Sequence, residues 1–270
     1  MKTTIHWAAL ALAALVPLSA SAHKTFILPS TTVLSDEQAR VTFDAAVSND
    51  LFYFNHRPMS LAALVVTAPD GRTLTAENVH EGALRSTFEL PLATPGTYRI
   101  AIPSDGLAAS YETADGGKQR ARGNAEALAK QIPADAKNVV VTQAQNRVET
   151  FVTLGKPDTA ALKPLGRGLE LVPITHPNDL FAGEPAKFRF VLDGEPAKGL
   201  EVEVVPGGTR YRNAQQQIDV TTDANGEFSV TWPDAGMYWL HASVEGGTPS
   251  EAKATSRRAA YTATLEVLPQ

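Results

Sequence analysis

The chain has 270 residues, no cysteine and a formal net charge of −5 at pH 7. The lack of cysteine excludes disulfides, thiolate metal sites and cysteine nucleophiles, so the fold depends on burial of a hydrophobic core. The length allows about two domains of ordinary size, and the mildly acidic charge argues against a nucleic-acid partner.

The first 22 residues have the three parts of a secretory signal peptide. Lys2 precedes a short apolar segment at 7–18, and residues 20–22 form the small-x-small pattern of a signal peptidase site. The apolar segment is too short to span a membrane, and no later segment approaches about 18 apolar residues. We therefore expect export to the periplasm, no membrane span after cleavage, and His23 as the first mature residue. A retained N-terminal anchor is the alternative.

After the signal peptide, the predicted elements are short β-strands separated by Pro, Gly, Asn and Asp. Many short strands with turn residues between them are typical of β-sandwiches. Only residues 123–132 have a helical pattern, and Pro133 ends it. The predicted strand segments are 39–47, 61–71, 86–92, 186–194, 200–208 and 226–232.

Residues 88–102 and 228–242 form an internal repeat. Each segment has an aromatic residue eight positions before a glycine, which an x-Tyr-x-aliphatic pattern follows. Strand alternation directs Tyr98 and Tyr238 towards hydrophobic cores. Two matched units predict two β-sandwiches of similar plan, whether they arose by duplication or because such hairpins are common in sandwiches.

We predict an all-β protein made of two Ig-like β-sandwich domains with a polar, partly helical insertion. The N-terminal sandwich spans residues 23–155 and contains the insertion at 104–138. Residues 156–167 form a linker in a segment rich in Pro and Gly, and residues 168–270 form the C-terminal sandwich.

The sequence contains none of the common catalytic or nucleotide-binding motifs. G-x-S-x-G, H-E-x-x-H, the P-loop, G-x-G-x-x-G and the EF-hand loop are all absent. We therefore expect no enzyme activity. Lytic polysaccharide monooxygenases also use a copper site at an N-terminal histidine, but nothing else in the chain resembles them.

Histidine chemistry makes His23 the main candidate metal ligand. Without cysteine, transition-metal ligands must be histidine, carboxylate or methionine side chains. Cleavage before His23 would place its α-amine beside its own ring Nδ1, and one further histidine would complete a T-shaped site with three nitrogen ligands. That geometry suits Cu(II), and less selectively Ni(II) or Co(II). An α-amine ordinarily titrates near neutrality, at about pH 8, so a metal displaces its proton at low cost.

Two loop-like segments supply the other candidate ligands. Residues 48–59 contain Asp50 and His56, and residues 175–180 contain His176 and Asp179. The alternative for either loop histidine is an exposed imidazole beside an Asx turn. We predict a divalent transition metal (Cu, Ni, Co or Fe) as the bound group, with ligands drawn from His23, His56, His176, Asp50 and Asp179.

A function without metal also stays open, because Ig-like sandwiches commonly bind proteins or glycans. In an extended segment 116–123, Lys118, Arg120 and Arg122 would share one face and form a contact surface. The face of the last repeat strand that carries Trp239 and His241 is the other candidate contact.

Six segments, in their order along the chain, resemble the domain of unknown function family 4198. They cover nearly the whole mature chain: "AHKTFILPS", "AAVSNDLFYFNHRP", "VTAPDG", "VETFVTLGKP", "LELVPITHPNDLFAGEPAKFRFVLDGEPAKGLEVEV" and "TTDANGEFSVTWPDAGMYWLHA". That family is similar to the NikM-type periplasmic substrate-specific component of nickel uptake, although this chain lacks the membrane segments of that component. The resemblance implies an exported all-β protein associated with transition-metal or iron acquisition, with a membrane transporter or reductase component as partner. The residues in its motifs are His23, Asn49, Asp50, His56, His176 and Asp179.

Overall fold

The computed structural model of the protein describes residues 23–35 and 39–270. The predicted signal peptide and its cleavage site lie outside the described residues. The first half of the chain contains β1 (Lys24–Pro29), β2 (Val33–Leu34), β3 (Ala39–Ser48), β4 (Arg57–Pro58), β5 (Val65–Thr67), β6 (Thr73–Leu74), β7 (Glu77–Glu81), β8 (Ser86–Leu92), β9 (Gly96–Glu112), β10 (Lys118–Gly123), helix α1 (Ala125–Gln131) and β11 (Lys137–Leu154).

The second half is also almost entirely β-structure. It contains β12 (Leu169–Pro173), β13 (Pro185–Leu192), β14 (Glu195–Pro196), β15 (Glu201–Pro206), β16 (Ile218–Thr221), β17 (Glu227–Thr231), β18 (Gly236–Glu245) and β19 (Ser256–Val267), with short 3₁₀ helices at Ala160–Leu162 and Thr209–Tyr211. The predicted fold class, all-β with Ig-like sandwiches and a short helix, is confirmed. In the described part of the chain, no helix has the length and hydropathy needed to cross a bilayer.

The strands of the described residues form three sheets. A five-stranded sheet has the order β1-β3-β8-β7, with β4 paired to β3, and a four-stranded sheet has β12-β13-β14 with β17 on β13. The third sheet has ten strands in the order β16-β15-β18-β19-β11-β9-β5-β6, with β10 on β9 and β2 on β11. The five-stranded sheet packs against the part of the large sheet that contains β9 and β11, and the four-stranded sheet packs against the part that contains β15, β18 and β19.

Two hydrophobic cores fill the spaces between the small sheets and the large one. In the first, Phe43 of β3 and Phe88 of β8 stack at 4.8 Å between ring centroids and pack with Tyr98 of β9. In the second, Phe190 of β13 packs edge-on against Tyr261 of β19, with centroids 5.5 Å apart. Each core lies between two sheets, as in a β-sandwich.

The large sheet joins the two sandwiches. β11 pairs in parallel with β19 from Thr142 opposite Ser256 to Thr150 opposite Thr264. Parallel neighbours require a long crossover, and here the second sandwich supplies it. The connection between the sandwiches is therefore a continuous backbone ladder as well as the linker that the sequence indicates.

The internal repeat places two equivalent tyrosines at equivalent corners. The Tyr98 hydroxyl donates to Thr94 O at 2.7 Å, and the Tyr238 hydroxyl donates to Asp234 O at 2.8 Å. Gly96 and Gly236 precede the tyrosines with φ of 129° and 144°, a conformation that residues with a side chain rarely adopt. Hydroxyl-to-backbone bonds of this kind form the tyrosine corner of Ig-like sandwiches.

The predicted insertion is mainly β-structure. β9 and β11 continue beyond the sandwich as a long antiparallel ribbon, and β10 adds to its edge. Leu107 and Ala109 of β9 pack with Ala121 of β10 and Leu128 of α1 in a small separate core. The Asn124 side chain caps α1 by accepting from Ala127 N at 2.8 Å. The sequence of residues 104–138 has a polar pattern because alanines, and few large apolar residues, provide much of this core.

The face of β18 that carries Trp239 is buried between the two sandwiches. Trp239 is 4% exposed, packs with Phe26 of β1, and donates from its Nε1 to Thr25 O at 2.9 Å. His241 stacks on Trp239 with ring centroids 5.0 Å apart. The prediction that this face is an outward contact surface is wrong, because the first sandwich covers it.

Candidate metal site at the start of the first strand

Strand pairing brings His23 and His56 to the same end of β3. His23 directly precedes β1, whose first residue, Lys24, lies opposite Ser48 at the end of β3. His56 directly precedes β4, whose Arg57 lies opposite Val47. β1 and β4 pair with the same stretch of β3 and therefore lie on its two sides, so the two imidazoles meet across the end of this strand.

The two imidazole rings are in direct contact. Their centroids are 3.9 Å apart with an interplanar angle of 18°, and both residues are exposed to solvent. Loss of solvent around the ring, then the nearby charges of His23 and Arg57, lowers the pKa of the His56 imidazole. A lower pKa favours the neutral imidazole, which is the form that binds a metal ion.

Hydrogen bonds fix the loop that carries His56. Asn55 Oδ1 accepts from Ser48 Oγ at 2.6 Å and from Asn49 N at 3.0 Å, while Asn55 Nδ2 donates to Asp50 Oδ2 at 2.7 Å. The predicted ligand Asp50 therefore holds the loop in this structure through Asn55. The closed loop fixes the backbone of His56 beside His23.

The second sandwich also anchors this loop. Leu51 is 1% exposed in the cluster that contains Trp239, and its backbone N–H donates to Thr209 Oγ1 at 3.1 Å. Sequence reasoning did not identify Thr209, since nothing local connects it to a loop 158 residues earlier. The position of His56 therefore depends on how the two sandwiches pack.

His176 lies at the opposite end of the first sandwich. Its Nε2 is 2.9 Å from Thr97 Oγ1 and 3.0 Å from Asp158 O, beside the start of β9. The start of β9 follows the end of β8, which pairs with the Ala39 end of β3, whereas the His pair lies at the Ser48 end. Ten residues of strand separate those ends by roughly 30 Å.

The imidazole of His176 has hydrogen-bonding partners at both nitrogens. Its Nδ1 accepts from Asn178 N at 3.2 Å, and burial lowers the pKa of the ring. Asn178 in turn donates to Phe151 O at 3.0 Å, so the turn is tied to β11. Asp179 is exposed in the same turn. The structure does not bring His176 or Asp179 together with His23.

The donors that the structure places together are therefore the two imidazoles of His23 and His56. Among residues 23–35 and 39–270, no group of three or more His, Asp or Glu side chains lies close enough to hold one ion. A third nitrogen ligand must come from the backbone, and the α-amine that cleavage before His23 would create lies on the same residue. The stacked rings must turn about their side-chain torsions for their nitrogens to converge on one ion.

The fold and this site define a class: an all-β protein of two fused Ig-like sandwiches with an exposed histidine pair at one end. Residues 20–246 match the model of the family described as "Domain of unknown function (DUF4198)". The chain belongs to this family, as its ordered segments indicate.

Comparisons with other proteins add little to this assignment. No curated protein matches the chain. Among solved structures, the D0-D1 domain of Intimin is 12% identical, with a TM-score of 0.22, and the match covers 89% of this chain and 97% of that one. The human OSCAR ligand-binding domain is 14% identical, with a TM-score of 0.21 and coverage of 92% and 100%. TM-scores of this size support no conclusion about what the chain binds.

Proposed function

We propose that the protein is a periplasmic accessory protein that binds a divalent transition metal and supports its uptake or its delivery to a membrane transporter or reductase component. The ligands are the His23 amine and ring and the His56 ring. The observation that carries the proposal is the 3.9 Å contact between the two imidazoles. The role is binding without catalysis.

Ligand chemistry orders the candidate metals. Three nitrogen donors favour Cu(II), which lies at the top of the affinity order of first-row divalent ions, over Ni(II), Co(II) and Fe(II). The resemblance to NikM-type components supports nickel as the cargo instead. The concentration of each ion in the compartment and the geometry of the loaded site decide between these metals. Each ion is therefore titrated separately.

Calorimetry of chain that begins at His23 tests the proposal. We expect one equivalent of Cu(II) to bind, and we expect His56→Ala to weaken binding by at least about tenfold, since it removes one of three ligands. Acetylation of the His23 α-amine removes that nitrogen as a donor and should abolish tight binding. His80→Ala is the matched control, because His80 is exposed in β7 of the same sandwich. Unchanged affinity of the N-acetylated chain contradicts the proposal.

Mass spectrometry of exported protein provides the required starting point. A first residue at His23 creates the chelating amine, whereas cleavage elsewhere leaves only the two rings. A copper-dependent oxidation assay with a reductant tests the absence of catalysis, and we expect no turnover above free copper.

A second candidate function is protein or glycan binding by the ribbon. Lys118, Arg120 and Arg122 are exposed on one face of β10, while Ala121 is buried on the other face. The three positive charges therefore lie on the solvent side of β10, where a partner can contact them. If the ribbon is the functional surface, Arg120→Glu with Arg122→Glu weakens capture of an envelope partner and leaves metal affinity unchanged.

A further inference from the structure

We propose that the cleft between the two sandwiches is a binding site for a small organic carboxylate with an apolar tail. The cleft has a volume of about 540 Å³, which is within the usual range for small-molecule sites. β9 and β11 form one wall, and the segment from Leu165 to Leu169 forms the other. The site is separate from the histidine pair, and the inference does not depend on the proposed metal.

Three guanidinium groups line the cleft: Arg99, Arg147 and Arg167. Arg99 is 7% exposed, and its Nη1 donates to Lys163 O at 3.0 Å. Its Nε has no hydrogen-bond partner among the described residues. A buried guanidinium N–H without an acceptor is costly, so the wall of the cleft around Arg99 has more donors than acceptors.

Glu149 does not satisfy the remaining donors. It is 2% exposed and accepts from the Nε of Arg147 and from the Tyr261 hydroxyl at 2.6 Å. Arg99 Nε is 3.9 Å from Glu149 Oε1, which is too long for a hydrogen bond. The terminal nitrogens of Arg147 donate to no group in the described part of the chain, and its side chain is 14% exposed. Arg147 therefore presents its free edge to the cleft.

The other two acidic groups are also occupied by internal bonds. Glu170 accepts from the backbone N–H groups of residues 165–167 at 2.8, 2.7 and 3.1 Å. Asp105 accepts from Gln143, Gln145 and Arg167 at 3.0, 2.9 and 2.6 Å. The carboxylate oxygens around the cleft already accept internal hydrogen bonds, whereas guanidinium N–H groups remain without an acceptor. A bound anion would supply the missing acceptor.

Charge and wall chemistry select the class of anion. The three arginines are balanced formally by Asp105, Glu149 and Glu170, so a monoanion disturbs the local balance less than a dianion such as phosphate does. Leu165 is 59% exposed and Val65 is 38% exposed, and both line the cleft. A carboxylate that accepts from Arg147 can place an aliphatic tail against these two side chains and remove them from water.

An NMR titration of ¹⁵N-labelled protein with hexanoate, in the presence of a metal chelator, tests the proposal. We expect shifts that saturate and are confined to the cleft residues. Leu165→Asp places a negative charge at an exposed position of the wall and should weaken hexanoate binding by at least about tenfold without affecting the internal ion pairs. Leu84→Asp is the matched control, because Leu84 is 47% exposed and lies outside the cleft.

Hexanol, a neutral probe, and phosphate, an inorganic anion, test whether the cleft prefers an apolar carboxylate. Hexanol should bind at least about tenfold more weakly than hexanoate, because a single neutral hydroxyl oxygen can neither pair with the guanidinium charge nor accept two parallel hydrogen bonds. Arg147→Gln should remove most of that difference. Absence of saturable shifts, shifts located elsewhere, or equal loss in the Leu84→Asp control would overturn the proposal. Hexanol binding as tight as hexanoate, or phosphate binding tighter than hexanoate, would overturn the assignment to an apolar carboxylate.

Discussion

The histidines of this protein occupy two kinds of environment, although the sequence around them looks alike. His56 and His176 both lie in loop segments that also contain a proline and an Asn-Asp pair. His56 faces solvent against a second imidazole, whereas both nitrogens of His176 have hydrogen-bond partners in the fold. The difference shows that unused ring nitrogens, rather than local sequence, identify a candidate ligand.

The largest expected effect concerns His241, a second enclosed histidine. Burial, followed by the charges of Arg258 and Lys24, lowers the pKa of His241 to about 4 from an ordinary 6.5. The unfolded chain therefore binds this proton more readily, so the stability is present above about pH 6.5 and is lost as the pH falls towards 4. The full loss is about 3 kcal/mol. Urea denaturation at pH 7 and pH 4.5 measures most of this loss, and His241→Gln should flatten the profile while His80→Gln should not.

Metal binding at the His pair should give the next largest effect. Cu(II) at a free concentration of about 100 times its Kd should raise the free energy of unfolding by about 2.7 kcal/mol. At the same free Cu(II) concentration, the increase should fall to about 1.4 kcal/mol or less in His56→Ala and persist in full in His176→Ala. Equal stabilisation of both variants would show that the ion binds somewhere other than the pair.

Removal of the enclosed imidazole should cost stability and leave metal affinity unchanged. His176→Ala deletes the contacts with Thr97, Asp158 and Asn178, and should lower the free energy of unfolding by about 1–2 kcal/mol. Urea denaturation and copper calorimetry on the same sample measure the two quantities. A tenfold or greater fall in copper affinity would instead make His176 a ligand, as the sequence suggested.

The smallest effect should come from His56 in the absence of metal. Because its ring is exposed, His56→Ala should leave the midpoint of urea denaturation within experimental error of the parent chain. A clear shift would mean that the stacked pair stabilises the fold, and would weaken the contrast with His176.

Much of the fold is predictable from strand alternation and turn residues. The repeat around Tyr98 and Tyr238 indicates both sandwiches, because its burial pattern and its glycines are local properties of the sequence. The pairing of β11 with β19 is not local. The residues that pair lie 114 positions apart, and no feature of either strand specifies a partner at that distance.

The site is predictable to a smaller extent. Ligand chemistry selects His23 and His56 from the sequence, but only the strand register shows that β1 and β4 flank the same end of β3. The same chemistry also selects His176, whose partners at Thr97 and Asp158 come from other elements. The arginines of the cleft carry no sequence signal, since their free donors are visible only when every acceptor around them is counted.

The shared ladder between β11 and β19 leaves the first sandwich incomplete until the last strand of the chain is available. β11 is made 114 residues before the strand that covers its edge, so the nascent first sandwich has an unpaired strand edge until nearly all of the second has emerged. An open edge of this kind recruits other strands, including those of neighbouring copies. Protection of this edge by a chaperone until β19 pairs with β11 should therefore matter more for yield than the final stability of either sandwich.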